Sequence, residues 1–558
     1  MEDRIKTILE AYALQNAVKH ANIPRAGAVI GAVLGVHPEL RKRAKELNET
    51  IGSVLDGVAA LSHEEREERL LAIAPELSAS IHQKRERSTE LPPLPDGERG
   101  VVMRFAPNPS GPLHLGHARA SVLNDAYIRR YGGDYIYRIE DTDPKRIDPD
   151  AYTMVQEDLE WLGVGISDIV YQSDRLEIYY AYAKELIALG GAYVCTCEAE
   201  RFRELKLAKK ACPCRDLAVE EQMERYAGMF DGRYAEGEVT VRIRTEIDHP
   251  DPAIRDFSAM RIVTSTIHPR VDATVYPLMN FSVAIDDHLL GMTHVIRGKD
   301  HIANTRRQKY IFDYFGWKQP HYLHYGRMSI EGLVLSTSSM HEGIRNGTYS
   351  GWDDIRLGTL RALARRGIRP EAVQAVITEI GIGETDISFS WDNLFAKNRD
   401  LIDRESNRYF FVRDPVSIRV EGAPEQVAEA PRYPGDSERG FRKLRFTSEI
   451  LIPGEEVEAG KLIRIKDLFN IRVTGEGTAG YAGDSLADAR AAKAPIIQWL
   501  PREAAIPCTV LTPEGPVTGY CEEECRQYQG RTVQFERFGF VRIDSVDEGK
   551  VVAYFTHR

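Results

Sequence analysis

The N-terminal part of the chain repeats apolar positions at the spacing of amphipathic helices. Apolar side chains recur every three to four residues in IKTILEAYALQNAVKHA, and charged helix formers fill RKRAKELNET and SHEEREERLLAIAPEL. The segment LPPLPDGERG, residues 91–100, then carries three prolines and two glycines, which interrupt helices and strands alike. The pattern predicts a helical N-terminal appendage with its linker over residues 1–98.

From residue 99 the pattern changes to short apolar strands that alternate with helices. VVMRFAP, DYIYRIED and DIVYQS read as strands, and each is followed by a helical segment, the rhythm of a parallel sheet with helices on its faces. The rhythm stops near Tyr193 and resumes with VYPLMNFSVAIDDHLLG. We therefore expect one α/β domain in two halves, residues 99–192 and 272–349, with an insertion at residues 193–271.

The rest of the chain divides into a helical and a β-rich stretch. Residues 350–406 carry helical patterns such as WDDIRLGTLRALARRG, whereas short β-rich runs such as YFFVRD and TVQFERFGFVRID fill residues 407–558. Frequent glycine and proline between the runs favour tight turns. The pattern predicts a helical connecting domain followed by one or two antiparallel β-barrels.

Composition excludes several classes of protein. Lys+Arg 73 against Asp+Glu 84 in 558 residues gives a net charge of -11, so the chain is not a basic DNA-coating protein, although a local basic surface can still bind nucleic acid. No run of apolar residues is long enough for a membrane span. The first residues lack the apolar core of a secretory signal, so we expect a cytoplasmic protein without a membrane or DNA partner.

The strongest chemical motif lies between the first strand of the α/β domain and its first helix, where a parallel sheet presents ligand sites. Its two histidines are three residues apart at a helix start and face the same way. Imidazoles beside helix N–H groups suit a phosphate site, and the absence of GxGxxG argues against NAD or FAD. The motif comprises Pro107, Asn108, Pro109, Ser110, Gly111, Pro112, Leu113, His114, Leu115, Gly116 and His117.

Four of the seven cysteines fall in two close pairs, Cys195 with Cys197 and Cys212 with Cys214. Four thiolates can close a tetrahedral Zn²⁺ site and leave no open position for catalysis, so a zinc ion here would be structural. The one-residue spacing within each pair is tighter than the common CxxC knuckle. Four reduced cysteines without a metal remain the alternative.

RFAPNPSGPLHLGHAR resembles the HIGH-type signature of class I aminoacyl-tRNA synthetases, in its glutamyl/glutaminyl form. The resemblance implies a Rossmann-like catalytic domain in which both histidines stabilise the triphosphate of ATP. An amino-acid carboxylate then attacks the α-phosphate and yields aminoacyl-AMP and pyrophosphate. The implied cosubstrates are L-glutamate and ATP with phosphate-bound Mg²⁺, and the implied acceptor is the 3′-terminal adenosine of tRNA(Glu).

The same resemblance implies a glutamate pocket built from RIEDTDPKR and YPLMNFSVAIDDHLLGMTHVIRG. Glutamine is nearly isosteric with glutamate, so a fixed arginine at the side-chain end, here Arg297, favours the carboxylate. A glutaminyl-tRNA synthetase is the alternative that Arg297 argues against. The expected pocket residues are Arg104, Asn108, Glu140, Tyr276, Asn280 and Arg297.

EGLVLSTSSMHEGI stands where this family carries its KMSKS loop, whose lysine stabilises charge on the reacting phosphates. Ser336, Thr337 and Ser338 are the expected catalytic residues, and Ser339 occupies the position of the lysine. His341 or Arg345 could supply the missing charge. A tRNA-binding paralogue with impaired activation is therefore a second alternative.

The resemblance extends to the parts that would contact tRNA. The cysteine-bearing insertion resembles the acceptor-stem module of some glutamyl-tRNA synthetases, and the β-rich C-terminus resembles the anticodon-binding barrels of the archaeal/eukaryotic branch. AGAVIGAVLGVHPELRKR resembles the helical tail modules of tRNA amidotransferases. The resemblance therefore implies a member of that branch, for which a monomer is the expected state, and it leaves open whether tRNA(Gln) is also charged with glutamate.

Overall fold

The computed structural model describes residues 2–20, 22, 24–82, 90–333, 335–547 and 549–558. The chain divides into two compact units, Met1–Ser88 and Thr89–Arg558. Among the described residues, no helix combines the length and the apolar character that crossing a bilayer requires.

The N-terminal unit is helical, as predicted. Leu9, Leu14, Val33, Leu47 and Val54 are buried in its apolar core, and Ser62 begins the fourth helix in a capping box with Glu65. The helices are α1 (Glu2–His20), α2 (Ala26–Val36), α3 (Ala44–Ala59), α4 (His63–Ile73) and α5 (Pro75–His82).

The second unit begins with the predicted βαβ pattern, in which three parallel strands pair in the order β1-β2-β3. Buried residues such as Met103, Leu123 and Tyr135 form the core between this sheet and its helices. The elements are β1 (Val101–Phe105), α6 (Leu115–Tyr131), β2 (Gly133–Ile139), α7 (Ala151–Trp161), β3 (Asp168–Tyr171) and α8 (Leu176–Ala188).

The insertion is an antiparallel sheet with strand order β4-β5-β6-β7 and two helices. Its first strand begins at residue 192 and its last strand lies beyond residue 271, so the sheet extends beyond the predicted insertion at both ends. The elements are β4 (Ala192–Cys195), α9 (Ala199–Leu207), α10 (Val219–Gly228), β5 (Thr240–Ile243), β6 (Ser258–Ile262) and β7 (Val275–Pro277).

The α/β domain then resumes. Its two last strands pair in parallel, and the backbone N–H of Thr293 donates to the Val102 carbonyl at 3.0 Å, which joins the second half to β1. The elements are α11 (Met279–Leu289), β8 (His294–Gly298), α12 (Ile302–Phe315) and β9 (His321–Tyr325).

A mainly helical segment follows, and it begins before the predicted helical domain of residues 350–406. Two short strands within it pair in parallel. Its elements are β10 (Met328–Ser329), α13 (Thr337–Arg345), α14 (Leu360–Arg365), α15 (Pro370–Ile380), β11 (Ile387–Ser388) and α16 (Trp391–Ile402).

The C-terminal part contains two seven-stranded sheets with separate apolar cores and one separate antiparallel ladder of two strands. The strands are β12 (Arg408–Tyr409), β13 (Phe411–Arg413), β14 (Pro415–Glu421), β15 (Gln426–Pro431), β16 (Phe441–Phe446), β17 (Glu449–Pro453), β18 (Leu462–Ile465), β19 (Asn470–Gly475), β20 (Thr478–Tyr481), β21 (Ile496–Ile497), β22 (Leu500–Pro501), β23 (Ala505–Thr512), β24 (Gly515–Glu522), β25 (Thr532–Phe535), β26 (Gly539–Asp547) and β27 (Lys550–His557), with α17 (Leu486–Ala491) before β21.

These sheets are barrel-like and mostly antiparallel, but not wholly so. Their orders are β12-β25-β26-β27-β23-β24-β13 and β21-β18-β19-β20-β14-β17-β22. The pairs β12·β25, β14·β20, β18·β21 and β23·β27 are parallel. Each joins strands that are separated along the chain by other strands, and such crossover connections are what parallel pairing needs.

Candidate functional site

A cavity of about 520 Å³ opens where β1, β2 and β8 end, at the carboxyl edge of the sheet. The chain segments that follow these strands supply most of its wall. The predicted site residues Arg104, Asn108, Gly116, His117, Glu140 and Arg297 line it. The sheet thus brings together residues that are nearly two hundred positions apart in the sequence.

His114 and His117 begin α6 in a reciprocal capping arrangement. The Nδ1 atom of His114 accepts the backbone N–H of Gly116 at 3.0 Å, and Nδ1 of His117 accepts the N–H of His114 at 3.4 Å. The rings stack with their centroids 3.8 Å apart. Both Nδ1 atoms act as acceptors, so the proton of each neutral ring lies on Nε2.

Burial keeps these rings neutral. It lowers the pKa of His114 to about 4, and burial together with the charge of His114 lowers the pKa of His117 well below 6.5. At neutral pH the pair therefore offers Nε2–H donors and no positive charge to a phosphate.

Buried charges support the floor of the cavity. Nη1 of Arg138 lies 2.7 Å from Oδ1 of Asp287, and Nε of Arg104 lies 3.3 Å from the same oxygen. Nη2 of Arg138 also lies 3.0 Å from Oε1 of Glu140. Burial alone would raise the pKa of Asp287, but Arg104 and Arg138 outweigh it and lower that pKa. At Glu140 burial dominates and raises the pKa despite both arginines.

Sequence reasoning missed this charge network. Asp286 and Asp287 are fully or almost fully buried in α11, and Asp286 binds Arg175 at 2.8 Å. The available signal was the pair of carboxylates within the otherwise apolar run SVAIDDHLL, since two adjacent acids on an apolar helix must find buried cations.

Arg297 lies on β8 and is 7% exposed. Its Nη2 donates to Oε1 of Gln308 at 3.0 Å, and its guanidinium lies 4.6 Å from the ring centroid of Tyr322. Its Nε is buried without a hydrogen-bond partner among the described residues, which also place no carboxylate in an ion pair with it. Burial and then the charge of Arg104 lower the pKa of Arg297 to about 10, so it remains a cation at neutral pH.

Tyr276 and Asn280 lie behind the cavity wall and not on it. The Tyr276 hydroxyl is fully buried and donates to the Ala273 carbonyl at 2.8 Å. Asn280 donates from Nδ2 to Oδ1 of Asn304 at 3.2 Å. The neighbouring Pro277, Leu278 and Met279 line the cavity in their place.

Comparison with known proteins decides the family. Residues 100–404 match the model described as "tRNA synthetases class I (E and Q), catalytic domain", and residues 406–483 and 496–544 match two models for the anti-codon binding domain. The chain belongs to this family.

Its curated relatives are similar along the full length. A glutamate–tRNA ligase of Methanocorpusculum labreanum is 63% identical over 555 residues, which cover 99% of each chain. Ligases of the same name from Methanoculleus marisnigri and Methanocaldococcus jannaschii are 62% and 47% identical, each over 100% of both chains. The prediction of a class I synthetase of the glutamyl branch is confirmed.

The segment predicted to take the place of the KMSKS loop, residues 331–344, lies against the signature motif. Ser336 caps α13 by accepting the N–H of Ser339 at 3.3 Å, and the Ser339 hydroxyl donates to the Ser336 hydroxyl at 3.1 Å. A Cβ at Gly111, whose φ is +153°, would lie 2.8 Å from Cγ2 of Thr337. Only a glycine lets the two loops of this synthetase approach so closely.

The His341 side chain contacts an acidic and an aromatic side chain. Its Nε2 lies 3.3 Å from Oδ2 of Asp148, and its ring meets the edge of Trp352 at 5.3 Å. Ser336, Thr337 and Ser338 do not line the cavity. That His341 or Arg345 supplies the charge expected of a lysine at this loop stays a prediction.

The four predicted zinc ligands of the insertion converge. Their Sγ atoms all lie within 4.8 Å of one another, and Cys195–Cys212 and Cys197–Cys214 are 3.9 and 3.8 Å apart. Four ligands at a Zn–S distance of about 2.3 Å stand about 3.8 Å apart at the corners of a tetrahedron. The arrangement fits a structural zinc site, and Nη1 of Arg225 lies 3.4 Å from Sγ of Cys214, where it would offset thiolate charge.

Proposed function

We propose that this synthetase joins L-glutamate to the 3′-terminal adenosine of tRNA(Glu) in two steps. A carboxylate oxygen of glutamate attacks the α-phosphorus of ATP, and pyrophosphate leaves. A ribose hydroxyl of the tRNA then attacks the carbonyl of glutamyl-AMP, and AMP leaves. The observation that carries the proposal is Arg297, a buried cation at the cavity wall with no carboxylate partner among the described residues.

Arg297 accounts for the choice of amino acid. A glutamate side chain would give the guanidinium the anion that the described part of the chain does not supply, in a fork geometry that suits a carboxylate. A glutamine amide would leave the buried charge uncompensated, which is costly. The glutaminyl alternative is therefore not favoured. Glu140, at the opposite side of the Arg138 network, is the carboxylate for the substrate ammonium group, with Arg104 and Asn108 beside it.

The signature motif would bind ATP through hydrogen-bond donors and not through positively charged side chains. The Nε2–H groups of His114 and His117 and the N-terminal N–H groups of α6 suit phosphate oxygens. Mg²⁺ would arrive with the phosphates and neutralise them. Positioning and charge stabilisation suffice here, because no side-chain nucleophile takes part.

The hydroxyls of Ser336, Thr337 and Ser338 at the start of α13 would assist on the other side of the nucleotide. The contact between Thr337 and Gly111 supports this role, since it holds that start beside the motif of residues 107–117. Tyr276 and Asn280 would shape the pocket from behind Pro277 and Met279.

The remaining parts would handle tRNA. The insertion, including residues 193–271, would hold the acceptor stem, with a zinc ion cross-linking the strand β4 to the segment after α9. Residues 350–406 and 407–558 would contact the rest of the tRNA and its anticodon, and tRNA(Gln) is a further candidate substrate. The seven free thiols suit a reducing compartment such as the cytoplasm, and we propose a monomer.

ATP–pyrophosphate exchange on the purified protein tests the proposal. We expect exchange with glutamate and tRNA(Glu), and at least about tenfold less with glutamine. Exchange that occurs with glutamine but not with glutamate would identify the protein as a glutaminyl-tRNA synthetase. Tight tRNA binding without exchange with either amino acid would favour the tRNA-binding paralogue that the absent lysine suggests.

A further inference from the structure

One buried carboxylate outside the cavity contacts the signature motif directly. Asp158, on α7, is 3% exposed, and its Oδ2 accepts the backbone N–H of Leu113 at 2.7 Å. Leu113 immediately precedes His114. Asp158 does not line the 520 Å³ cavity; it borders a separate cleft with Arg361 and Arg365.

The other oxygen of Asp158 faces a different part of the chain. Its Oδ1 lies 3.3 Å from Nε of Arg361, on α14. Arg361 also donates from Nη2 to the Met154 carbonyl at 3.0 Å and pairs with Glu157. One carboxylate thus joins the backbone of the signature motif to the helical segment that follows the α/β domain.

The same stretch is held from its other edge by backbone hydrogen bonds. Leu360 donates to the Leu113 carbonyl at 2.9 Å, and Leu115 donates to the Gly358 carbonyl at 3.2 Å. His114 forms an isolated antiparallel bridge with Thr359, whose hydroxyl caps α14 by accepting the N–H of Ala362. Backbone groups of residues 358–360 thus hold residues 113–115 on one side, and the Asp158 side chain holds the Leu113 N–H on the other.

We propose that Asp158 is a positioning residue for activation: it fixes the backbone before His114 so that both imidazoles point their Nε2–H groups at the nucleotide. Reaction rates are sensitive to such placement, because a displacement of about 1 Å at a reacting group can cost about 100-fold. The proposal rests on the proposed function.

The burial of Asp158 is consistent with a geometric and not an electrostatic task. Burial raises the pKa of this carboxyl to about 7, although the Leu113 N–H and Arg361 oppose the shift. A group that is only partly ionised at neutral pH is a poor source of charge, but it accepts a hydrogen bond in either protonation state.

Three variants separate position from charge. Asp158→Asn keeps an oxygen within reach of the Leu113 N–H and removes the charge. Asp158→Glu keeps the charge and displaces the oxygens by one methylene. Asp158→Leu removes both. Glu157→Gln is the matched control, because Glu157 is the adjacent residue and pairs with the same arginine.

Glutamate-dependent ATP–pyrophosphate exchange is measured for each variant, with kcat and the KM for ATP determined separately and thermal melting recorded. We expect Asp158→Asn and Glu157→Gln to stay within about threefold of the unsubstituted protein. We expect Asp158→Glu and Asp158→Leu to lose about 10- to 100-fold, chiefly in kcat.

A merely structural role would lower the melting temperature and leave kcat of the folded variants unchanged, and that result overturns the proposal. So does a ranking in which Asp158→Glu is more active than Asp158→Asn, a comparison that stands even if Asp158→Leu does not fold. Inactivity of the unsubstituted protein would instead refute the proposed function.

Discussion

Arg138 and Asp287 form a fully buried ion pair, with Nη1 and Oδ1 only 2.7 Å apart. The same carboxylate contacts Arg104 at 3.3 Å, so one acid on α11 orients arginines from two parallel strands.

Replacing Asp287 with leucine should strongly destabilise the protein. Two buried guanidiniums would lose their shared anion, and removing one partner of a buried pair typically costs about 3–5 kcal/mol. Urea unfolding of Asp287→Leu measures the change. Asp313→Leu, at the exposed Lys309–Asp313 pair, is the control and should unfold close to the unsubstituted protein. Equal midpoints for both variants would contradict the assigned role of the pair.

Arg297→Leu should weaken selection of glutamate. The loss of one charge-assisted interaction corresponds to about 10- to 100-fold in kcat/KM for glutamate, and discrimination against glutamine should shrink with it. Arg297→Lys should recover only part, because an ammonium lacks the fork of a guanidinium. Exchange assays with both amino acids measure the ratio. The exposed Arg306→Leu is the control, and an unchanged ratio in Arg297→Leu would contradict the assignment.

Ser339→Lys should accelerate activation. The lysine would place a cation at the first turn of α13, beside the loop that Gly111 and Thr337 bring together. An increase of about tenfold or more in the exchange rate is expected if the missing charge limits the reaction. Asn346→Lys adds the same charge at the far end of the helix and should have no such effect. Equal rates for Ser339→Lys and the unsubstituted protein would mean that another cation already serves the phosphates.

The histidine pair should make stability depend on pH. His114 titrates near 4 in the folded chain and near 6.5 when unfolded, so the unfolded state binds more protons between these values. Its contribution to stability is fully present above pH 6.5 and is lost as the pH falls toward 4. His114→Gln should reduce the rise in unfolding free energy between pH 4 and 6.5. A curve parallel to that of the unsubstituted protein would show that the ring is not buried neutral.

The cysteine cluster should hold one zinc ion per chain. Cys212→Ser should lower the metal content and the melting temperature together, because a closed structural site contributes directly to folding. Elemental analysis and melting curves measure both. Cys508→Ser, at a buried thiol in the C-terminal sheets, should keep the metal. If the unsubstituted protein is stable but contains no zinc, the result would favour the alternative of four reduced cysteines without a metal.

The sequence allowed the order of domains and the position of the signature motif to be predicted, because period-two and helical patterns and the PNPSG turn are local signals. His117 reaches the cavity from the first turn of α6, Glu140 from the residue after β2, and Arg297 from the end of β8. Asp287 could not be assigned in this way. Its role depends on Arg104 and Arg138, which pairing between β1 and β2 brings to α11 from more than a hundred residues away.

Tyr276 shows a limit of prediction from a sequence motif. Its place in a motif predicts a pocket residue, but whether its ring reaches the cavity depends on the register of β7 with β6, in which Tyr276 lies opposite Arg261, a residue of the cavity wall. One position along a strand changes the face on which a side chain lies, and no local pattern fixes that register.

The passage from β7 to α11 has a mechanical consequence. Leu278 alone separates the edge strand of the insertion sheet, which ends at Pro277, from the helix that begins at Met279 and carries Asp287. The cavity therefore shares a wall with the insertion. Excising the insertion would remove part of the cavity wall itself, and any tilt of its sheet would be transmitted through α11 to Asp287 and the two arginines that it binds.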